Sequence, residues 1–257
     1  MMLRNFLAGF LRRAGYNSDE RNPQTGDAAM REATRAALHA VLHEPLAHPA
    51  TVDYELVARL KAAADAADYM VAHMIHAQNL VRRADLLAFA LDACSLDGLI
   101  LEFGVFRGES LRFIAKRTDR NVHGFDSFEG LPEDWTYFQK QGRFSLEGRV
   151  PECAEPNIRL HKGWFDATLP PFLAAHPEPA RFIHVDCDIY SSTRTVLAAL
   201  SPRIVKGTVL VFDEYLNYPA WRNHEFRAFQ EFVAERGLHY RYLGFASSHT
   251  SVAVQIG

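Results

Sequence analysis

The spacing of apolar residues changes character near residue 98. Before it, they recur every three or four positions, which predicts amphipathic helices over about 28–43, 53–67 and 77–93. Leu80, Val81, Ala84, Leu87, Ala88, Ala90 and Leu91 mark the buried face of the third. A polar stretch at 16–27, with Asn22-Pro23 and Gly26, reads as a loop. No strand candidate precedes Gly98. Residues 1–96 therefore read as a helical cap leading into a sheet domain at 97–257.

From Leu99 onward, short apolar runs alternate with helical segments. The strands expected are LILEFG (99–104), NVHGFD (121–126), IRLHKG (158–163), RFIHVDCD (181–188) and TVLVFDE (208–214). Helices are expected at 108–118, near Leu173, at 192–200 and at 225–236. The last two runs, HYRYLGF (239–245) and SVAVQI (251–256), lie too close for a helix between them and predict an antiparallel hairpin. Five parallel β units closed by a hairpin describe an α/β, doubly wound sheet.

Composition narrows the function classes. With 28 basic and 31 acidic residues the chain carries a net charge of −3, which gives no electrostatic case for nucleic acid. No run approaches the length of a membrane span. Cys94, Cys153 and Cys187 have no metal-ligand spacing and do not form a disulfide framework, which suits a reducing cytoplasm. At the N-terminus, Leu3, Phe6, Leu7, Phe10 and Leu11 share a helical face ringed by Arg4, Arg12 and Arg13. That helix would dock on a neighbouring subunit or on the domain itself, with a membrane surface as the alternative.

The candidate chemistry starts at LEFGVFRGESL (101–111), where a strand ends in Glu102, turns through Gly104 and Gly108, and enters a helix at Ser110. Gly104 would let backbone approach a nucleoside closely, and Gly108 would allow tight strand–helix contact. Phe106 stands where a dinucleotide fingerprint needs its second glycine, and an acid at the strand end suits a ligand carrying an amine and a sulfonium. S-adenosylmethionine is such a ligand.

Acids also stand at the carboxyl ends of the later strands: Asp126, Asp186 and Asp188, and Asp213-Glu214. Ligands of doubly wound sheets bind at that edge. Asp126 follows the glycine turn by about 20 residues, where an acid commonly meets ribose hydroxyls. Asp186 and Asp188 have period two, and Asp213 and Glu214 end the neighbouring strand, so their carboxylates converge. All-oxygen ligation of that kind suits Mg²⁺, Mn²⁺ or Ca²⁺. The stretch 127–156, with Phe128, Trp135, Tyr137, Phe138 and Phe144, is too long for an ordinary βα loop and reads as a lid. His161 and His184 lie within apolar strands and read as core histidines, whereas His224 could touch substrate.

The series LEFGVFRGES, HGFDSFEGLPEDW, GRFSLEGRVPE, KGWFDATLP, VDCDIYSSTRTVLAAL and VFDEYLNYPAWRNHEFRAFQEF resembles the macrocin O-methyltransferase family over about residues 70–235. These are Mg²⁺-dependent enzymes that methylate sugar hydroxyls on macrolides and aminocoumarins. The resemblance implies a Rossmann-like class I methyltransferase fold. It places S-adenosylmethionine across Glu102, Gly104, Gly108 and Ser110, with Asp126 and Ser127 at the ribose, Phe128, Gly163 and Trp164 near the adenine, and Asp186 beside it. It assigns the metal to Asp186, Asp213 and Glu214 and the general base to Asp188. Glu214 replaces the second aspartate of several members, lengthening one ligand arm by a methylene. A small-molecule acceptor, with a sugar hydroxyl favoured, and a homo-oligomer, dimer or higher, follow from the same likeness.

Two other readings share this fold. A catechol-type O-methyltransferase resembles D-x-x-K after the fourth strand, but Ile189, Tyr190, Ser191 and Ser192 follow Asp188 and no lysine precedes Lys206. A non-catalytic protein that binds the donor would have no use for four converging carboxylates.

Overall fold

The computed structural model describes residues 54–137 and 139–257. Within it, Tyr54–Gly257 forms one compact unit. The helices expected at the N-terminus and over 28–43 lie outside the described residues, as does Phe138.

Eight strands form one sheet: β1 (Gln78–Asn79), β2 (Leu99–Phe103), β3 (Val122–Asp126), β4 (Ile158–Lys162), β5 (Ala180–Val185), β6 (Val209–Phe212), β7 (Tyr240–Phe245) and β8 (Val252–Ile256). Their order is β1-β7-β8-β6-β5-β2-β3-β4. β2 to β6 are mutually parallel, and β8 runs antiparallel to both β6 and β7. The sequence pattern thus locates the five parallel strands and the closing hairpin. β2 and β5 read as nearly unbroken apolar runs because helices cover both sheet faces.

Among the described residues, six helices do the covering: α1 (Tyr54–His73), α2 (Arg83–Asp92), α3 (Glu109–Ala115), α4 (Phe165–Ala175), α5 (Tyr190–Leu200) and α6 (Glu225–Arg236). On one face, Leu86, Leu87, Ala90 and Leu91 of α2 and Leu111 and Ile114 of α3 pack with Ile100, Phe182, Val209 and Val211. On the other, α1, α4, α5 and α6 pack with Leu101, Phe103, Ile183, Val185, Leu210 and Phe212. Alternation along each strand assigns these residues to their layers.

Two expectations need correction. A strand does precede Gly98, since Gln78–Asn79 pairs in parallel with Gly244 and Phe245. The helix expected over 77–93 begins only at Arg83. Both β1 residues are polar and exposed, so β1 is held by its backbone ladder and leaves no apolar signature. α1, β1 and α2 belong to the same compact unit as the sheet.

Between β2 and β5 the strand order reverses direction, and a switch point of this kind opens a crevice at the strands' carboxyl ends. There the ladder continues past the formal strand ends. Gly104 N–H donates to Phe125 O, Asp186 N–H to Phe103 O and Asp213 N–H to Val185 O. These bonds fix the residues after β2, β5 and β6 relative to one another. Among the described residues, no helix is long and apolar enough to cross a membrane.

Candidate active site

A cavity of about 320 Å³ lies at this edge. The turn after β2 supplies Gly104, Val105, Phe106, Arg107, Glu109 and Ser110, and the end of β3 supplies Asp126 and Ser127. Gly163, Trp164 and Phe165 add to that side, and Asp186, Asp188, Asp213 and Glu214 line the other. Gly130, Leu131, Pro132, Trp135 and Phe144 also line it, so the long insertion after β3 contributes walls.

The glycine turn is held from below. Gly104 has φ +89°, and a Cβ there would lie 1.7 Å from the Asp186 carbonyl oxygen. What demands glycine is therefore the neighbouring strand end, a different cause from the ligand approach expected. Gly108 has φ +73° and caps α3 in the left-handed region, with 3.4 Å of space to the nearest side-chain atoms. Its backbone angle, not tight packing, accounts for it.

Asp126 organises the turn. Its Oδ2 accepts from the N–H groups of Val105 and Phe106, each at 2.8 Å, and its Oδ1 from the N–H of Phe128 at 2.6 Å. Ser127 Oγ accepts from Glu129 N–H at 3.1 Å. Phe106 and Phe128 both have positive φ, a costly conformation for a bulky residue that these bonds help hold.

Glu102, Gly108 and Phe128 do not line the cavity. Phe128 belongs to the core, and Glu102 is fully buried beneath the turn. Glu102 accepts from Ser110 Oγ at 3.2 Å and pairs with His184 Nδ1 at 2.8 Å. His184 Nε2 stands 3.6 Å from Asp213 Oδ1, too far for a hydrogen bond but close enough for charge attraction. Burial alone would lower the His184 pKa, but the flanking Asp213 and Glu102 outweigh it and raise it to about 10. His184 is thus buried as expected, with its Nδ1 tied to Glu102.

The acidic side contains an arginine absent from the sequence expectations. Arg83, at the start of α2, donates from Nε to Asp213 Oδ1 and from a terminal nitrogen to Asp186 Oδ2, each at 2.5 Å. Asp213 Oδ1 also accepts from Ser251 Oγ at 2.9 Å. A signal for Arg83 exists in the sequence: it lies three and four residues before Leu86 and Leu87, on the buried stripe of an apolar helix. An arginine in such a place needs a partner.

Two overlapping groups bring ligand atoms within 4.8 Å of one another: His184, Asp186 and Asp213, and Asp186, Asp188 and Glu214. The sequence-derived metal set was Asp186, Asp213 and Glu214. The structure gathers Asp186 and Glu214 with Asp188, while Asp213 is engaged by Arg83, Ser251 and His184. Burial and then neighbouring carboxylates hold Asp188 and Glu214 well above the usual carboxylate range. Burial and Asp213 raise Asp186 to about 7 against the pull of Arg83. Glu214 Oε2 is buried without a partner. Crowded carboxylates with an orphaned oxygen fit a hard divalent cation.

Behind Glu214, the fully buried Glu225 accepts from the Glu214 N–H at 2.9 Å, a support that sequence reasoning did not identify. His224 does not line the cavity; its ring lies against Trp135 and Tyr218. His161 stacks on Phe125 beside His123.

Residues 101–215 match a family model described as a methyltransferase domain. A tetracenomycin-C rhamnosyl 4'-O-methyltransferase from Streptomyces olivaceus is 29% identical, the alignment covering 52% of this chain and 60% of the relative. Demethyldecarbamoylnovobiocin O-methyltransferase from Streptomyces niveus is 27% identical with the same coverage. The chain thus spans 60% of the length of these two relatives. Mycinamicin III 3''-O-methyltransferase from Micromonospora griseorubida is 26% identical over 80% of this chain and 91% of that protein. The crystal structure of the calicheamicin methyltransferase CalS11 superposes with a TM-score of 0.55 at 24% identity, covering 80% of this chain and 93% of that one. The fold is therefore the Rossmann-like class I methyltransferase fold.

Proposed function

We propose that this chain, a methyltransferase-domain protein over residues 101–215, is an S-adenosylmethionine-dependent O-methyltransferase acting on a hydroxyl of a sugar-bearing small molecule. The observation that carries this reading is one cavity whose walls differ in kind. A backbone turn tied down by Asp126 forms one wall. Asp186, Asp188 and Glu214, with an oxygen left over, form the other.

In this reading, the turn at 104–107 and Ser110 cradle the amino-acid end of the donor. Asp126 accepts three backbone N–H groups, and a carboxylate has acceptor capacity for a ribose hydroxyl as well. Trp164, 40% exposed, offers an apolar face for the adenine. Trp135 and Phe144 exclude water from the space between donor and acceptor.

Asp186 and Glu214, with Asp213 at the same strand end, would hold Mg²⁺ or a similar ion, which supplies Lewis acidity that lowers the pKa of a hydroxyl oxygen. Asp188 takes the hydroxyl proton as that oxygen attacks the donor's methyl carbon and the carbon–sulfur bond breaks, leaving a neutral thioether. Asp186 and Glu214 fix where the oxygen sits, and alignment with the methyl group supplies much of the acceleration. Among the described residues no lysine lines the cavity, which favours an aspartate base over the lysine of catechol-type enzymes. The acceptor class follows the activities of the relatives, a rhamnosyl 4'-O-methyltransferase and a mycinamicin 3''-O-methyltransferase. The homo-oligomer expected from the sequence belongs to the same reading and is checked by sedimentation.

Calorimetric titration with S-adenosylhomocysteine, with and without Mg²⁺, followed by a screen of hydroxylated glycosides, tests the proposal. Binding of the product analogue and methyl transfer to a glycoside are expected. A protein that binds no S-adenosylhomocysteine under either condition is not a methyltransferase of this kind.

A further inference from the structure

The middle of the sheet holds two ionisable groups that the reaction does not use. Glu102 on β2 and His184 on β5 are both fully buried and stand opposite each other across the parallel ladder. Around them on the same face, Ile100, Phe182, Val209 and Val211 are apolar and buried. In such surroundings, well-packed apolar side chains of similar size are often as stable as a buried pair of ionisable groups. Packing alone gives no reason for this pair.

Its contacts run from one wall of the cavity to the other. Ser110, which lines the glycine-turn wall, donates from Oγ to Glu102 Oε1 at 3.2 Å. Glu102 Oε2 lies 2.8 Å from His184 Nδ1. His184 Nε2 is turned toward Asp213, which lines the acidic wall, and stops 3.6 Å from its Oδ1. That nitrogen is buried and, among the described residues, has no hydrogen-bond partner. Asp213 lies two residues beyond Val211, the β6 neighbour of His184, so alternation sets both on one face of the sheet. The chain of contacts is closed from Ser110 to His184 and just short of a hydrogen bond at Asp213.

We propose that Glu102 and His184 are positioning residues that couple the two ligand sites, so that donor and divalent cation each bind more tightly when the other is present. This inference rests on the donor and cation roles given above and adds a linkage between them. A donor seated on Ser110 fixes its hydroxyl and, through it, Glu102 and the His184 ring. A cation held by Asp186, Asp213 and Glu214 fixes the carboxylate that His184 Nε2 faces. Each ligand orders part of the same buried chain, and the second meets it already ordered. The gain is reciprocal, because the cation raises donor affinity by the factor by which the donor raises cation affinity. Coupling of this kind favours the fully loaded protein over either half-loaded form, so a hydroxyl is acidified only where a methyl group is at hand.

Calorimetric titration of the full chain with S-adenosylhomocysteine, with and without saturating Mn²⁺, reads this coupling without any turnover. Wild type should bind S-adenosylhomocysteine at least about fivefold more tightly with the cation. Mn²⁺ binding, followed by the electron paramagnetic resonance of the free ion, should gain by the same factor from S-adenosylhomocysteine. In a double variant, Glu102→Met with His184→Leu, the factor should fall to within about twofold of one. Its melting temperature without ligands should stay within about 5 °C of wild type. Ser110→Ala, which trims one hydroxyl and leaves the sheet core intact, should cut the factor to at most about twofold. Its Mn²⁺ affinity in the absence of S-adenosylhomocysteine should be unchanged. A pair with a structural role only would lower the melting temperature when replaced and leave the wild-type factor in place, and that result overturns the proposal. Should the double variant not fold, Ser110→Ala decides, and a wild-type factor there overturns the proposal. A factor near one in wild type overturns it outright. If S-adenosylhomocysteine binds and Mn²⁺ does not, this inference falls with the cation role and the methyltransferase reading stands. If S-adenosylhomocysteine binds under neither condition, that reading falls as well.

Discussion

The two walls of the cavity are built on opposite principles. On the glycine-turn side, polar groups are satisfied internally: Asp126 accepts three backbone N–H groups, and Glu102 is engaged by Ser110 and His184. On the acidic side, like charges are pressed together, Asp188 and Glu214 are driven toward their protonated forms, and an oxygen of Glu214 lacks a partner. Arg83 neutralises part of that side and leaves the remainder. A satisfied wall is rigid before any ligand arrives; a frustrated one gains its order from what binds. The contrast implies that donor binding is preorganised, whereas the reacting hydroxyl's place is completed by a cation.

The most damaging change is the one that strikes both walls. At Gly104 the turn rests on the Asp186 carbonyl, and a methyl group would have to occupy space 1.7 Å from that oxygen. Gly104→Ala should cost at least about 4 kcal/mol, measured by urea unfolding, and should weaken S-adenosylhomocysteine and Mn²⁺ binding together. If only donor binding suffers, the two walls are not mechanically joined there.

Next comes the acidic wall alone. Asp188→Asn keeps the shape of the side chain and removes its ability to accept a proton. Turnover should fall about 10³-fold while affinity for S-adenosylhomocysteine stays within a few-fold of wild type. Burst and steady-state rates with an acceptor found by screening measure the first quantity, and calorimetry the second. Near-normal turnover would remove Asp188 from the role of base.

The loop wall alone is probed by Asp126→Asn. All three backbone N–H groups lose a charged acceptor, and either the Val105 and Phe106 pair or Phe128 then faces an amide NH2 that only donates. Donor affinity should drop about 10–100-fold and stability by about 1–3 kcal/mol, with Mn²⁺ affinity unchanged. A parallel loss of Mn²⁺ binding would show that the walls are less independent than their hydrogen bonding indicates.

This division also explains what could be read from the chain. Strands β2 to β8 were legible because each is a short apolar run ending in a turn, and α6 because its periodicity covers 225–236. The acids were legible because strand ends at a switch point are where ligands bind. What escaped was the pairing among side chains brought together from distant elements. Asp213 and Glu214 are adjacent in sequence, yet one turns to Arg83, 130 residues earlier, and the other stays in the cluster. No spacing rule carries that information. Gly104 is legible as a glycine position in the cavity wall, but its close approach to Asp186 is not, because sheet registry and not the local turn sets it. β1 escaped because two polar residues held only by backbone bonds have no periodicity to read.

Acid should loosen the strands behind the loop wall. His123 on β3 lies three residues before Asp126, with its Nδ1 3.1 Å from His161 Nε2 on β4 and its ring against Phe172 of α4 and His176 just past that helix. Burial above all, then His161, His176 and Arg159, lowers the His123 pKa to about 4. The unfolded chain takes up this proton near pH 6.5 and the native protein resists it down to about 4, so the contribution to stability is complete above about pH 6.5 and is lost as pH falls through that window. The slope from this group is about 1 kcal/mol per pH unit. His123→Phe, which keeps the ring and deletes the titration, should therefore show a smaller drop in melting temperature between pH 7 and pH 5 than wild type. Hydrogen exchange at pH 5 should show β3 and β4 opening before β5 and β6 in the wild-type protein. If all four open together, acid acts on the sheet as a whole, and the histidines have no selective hold on the wall that Asp126 anchors.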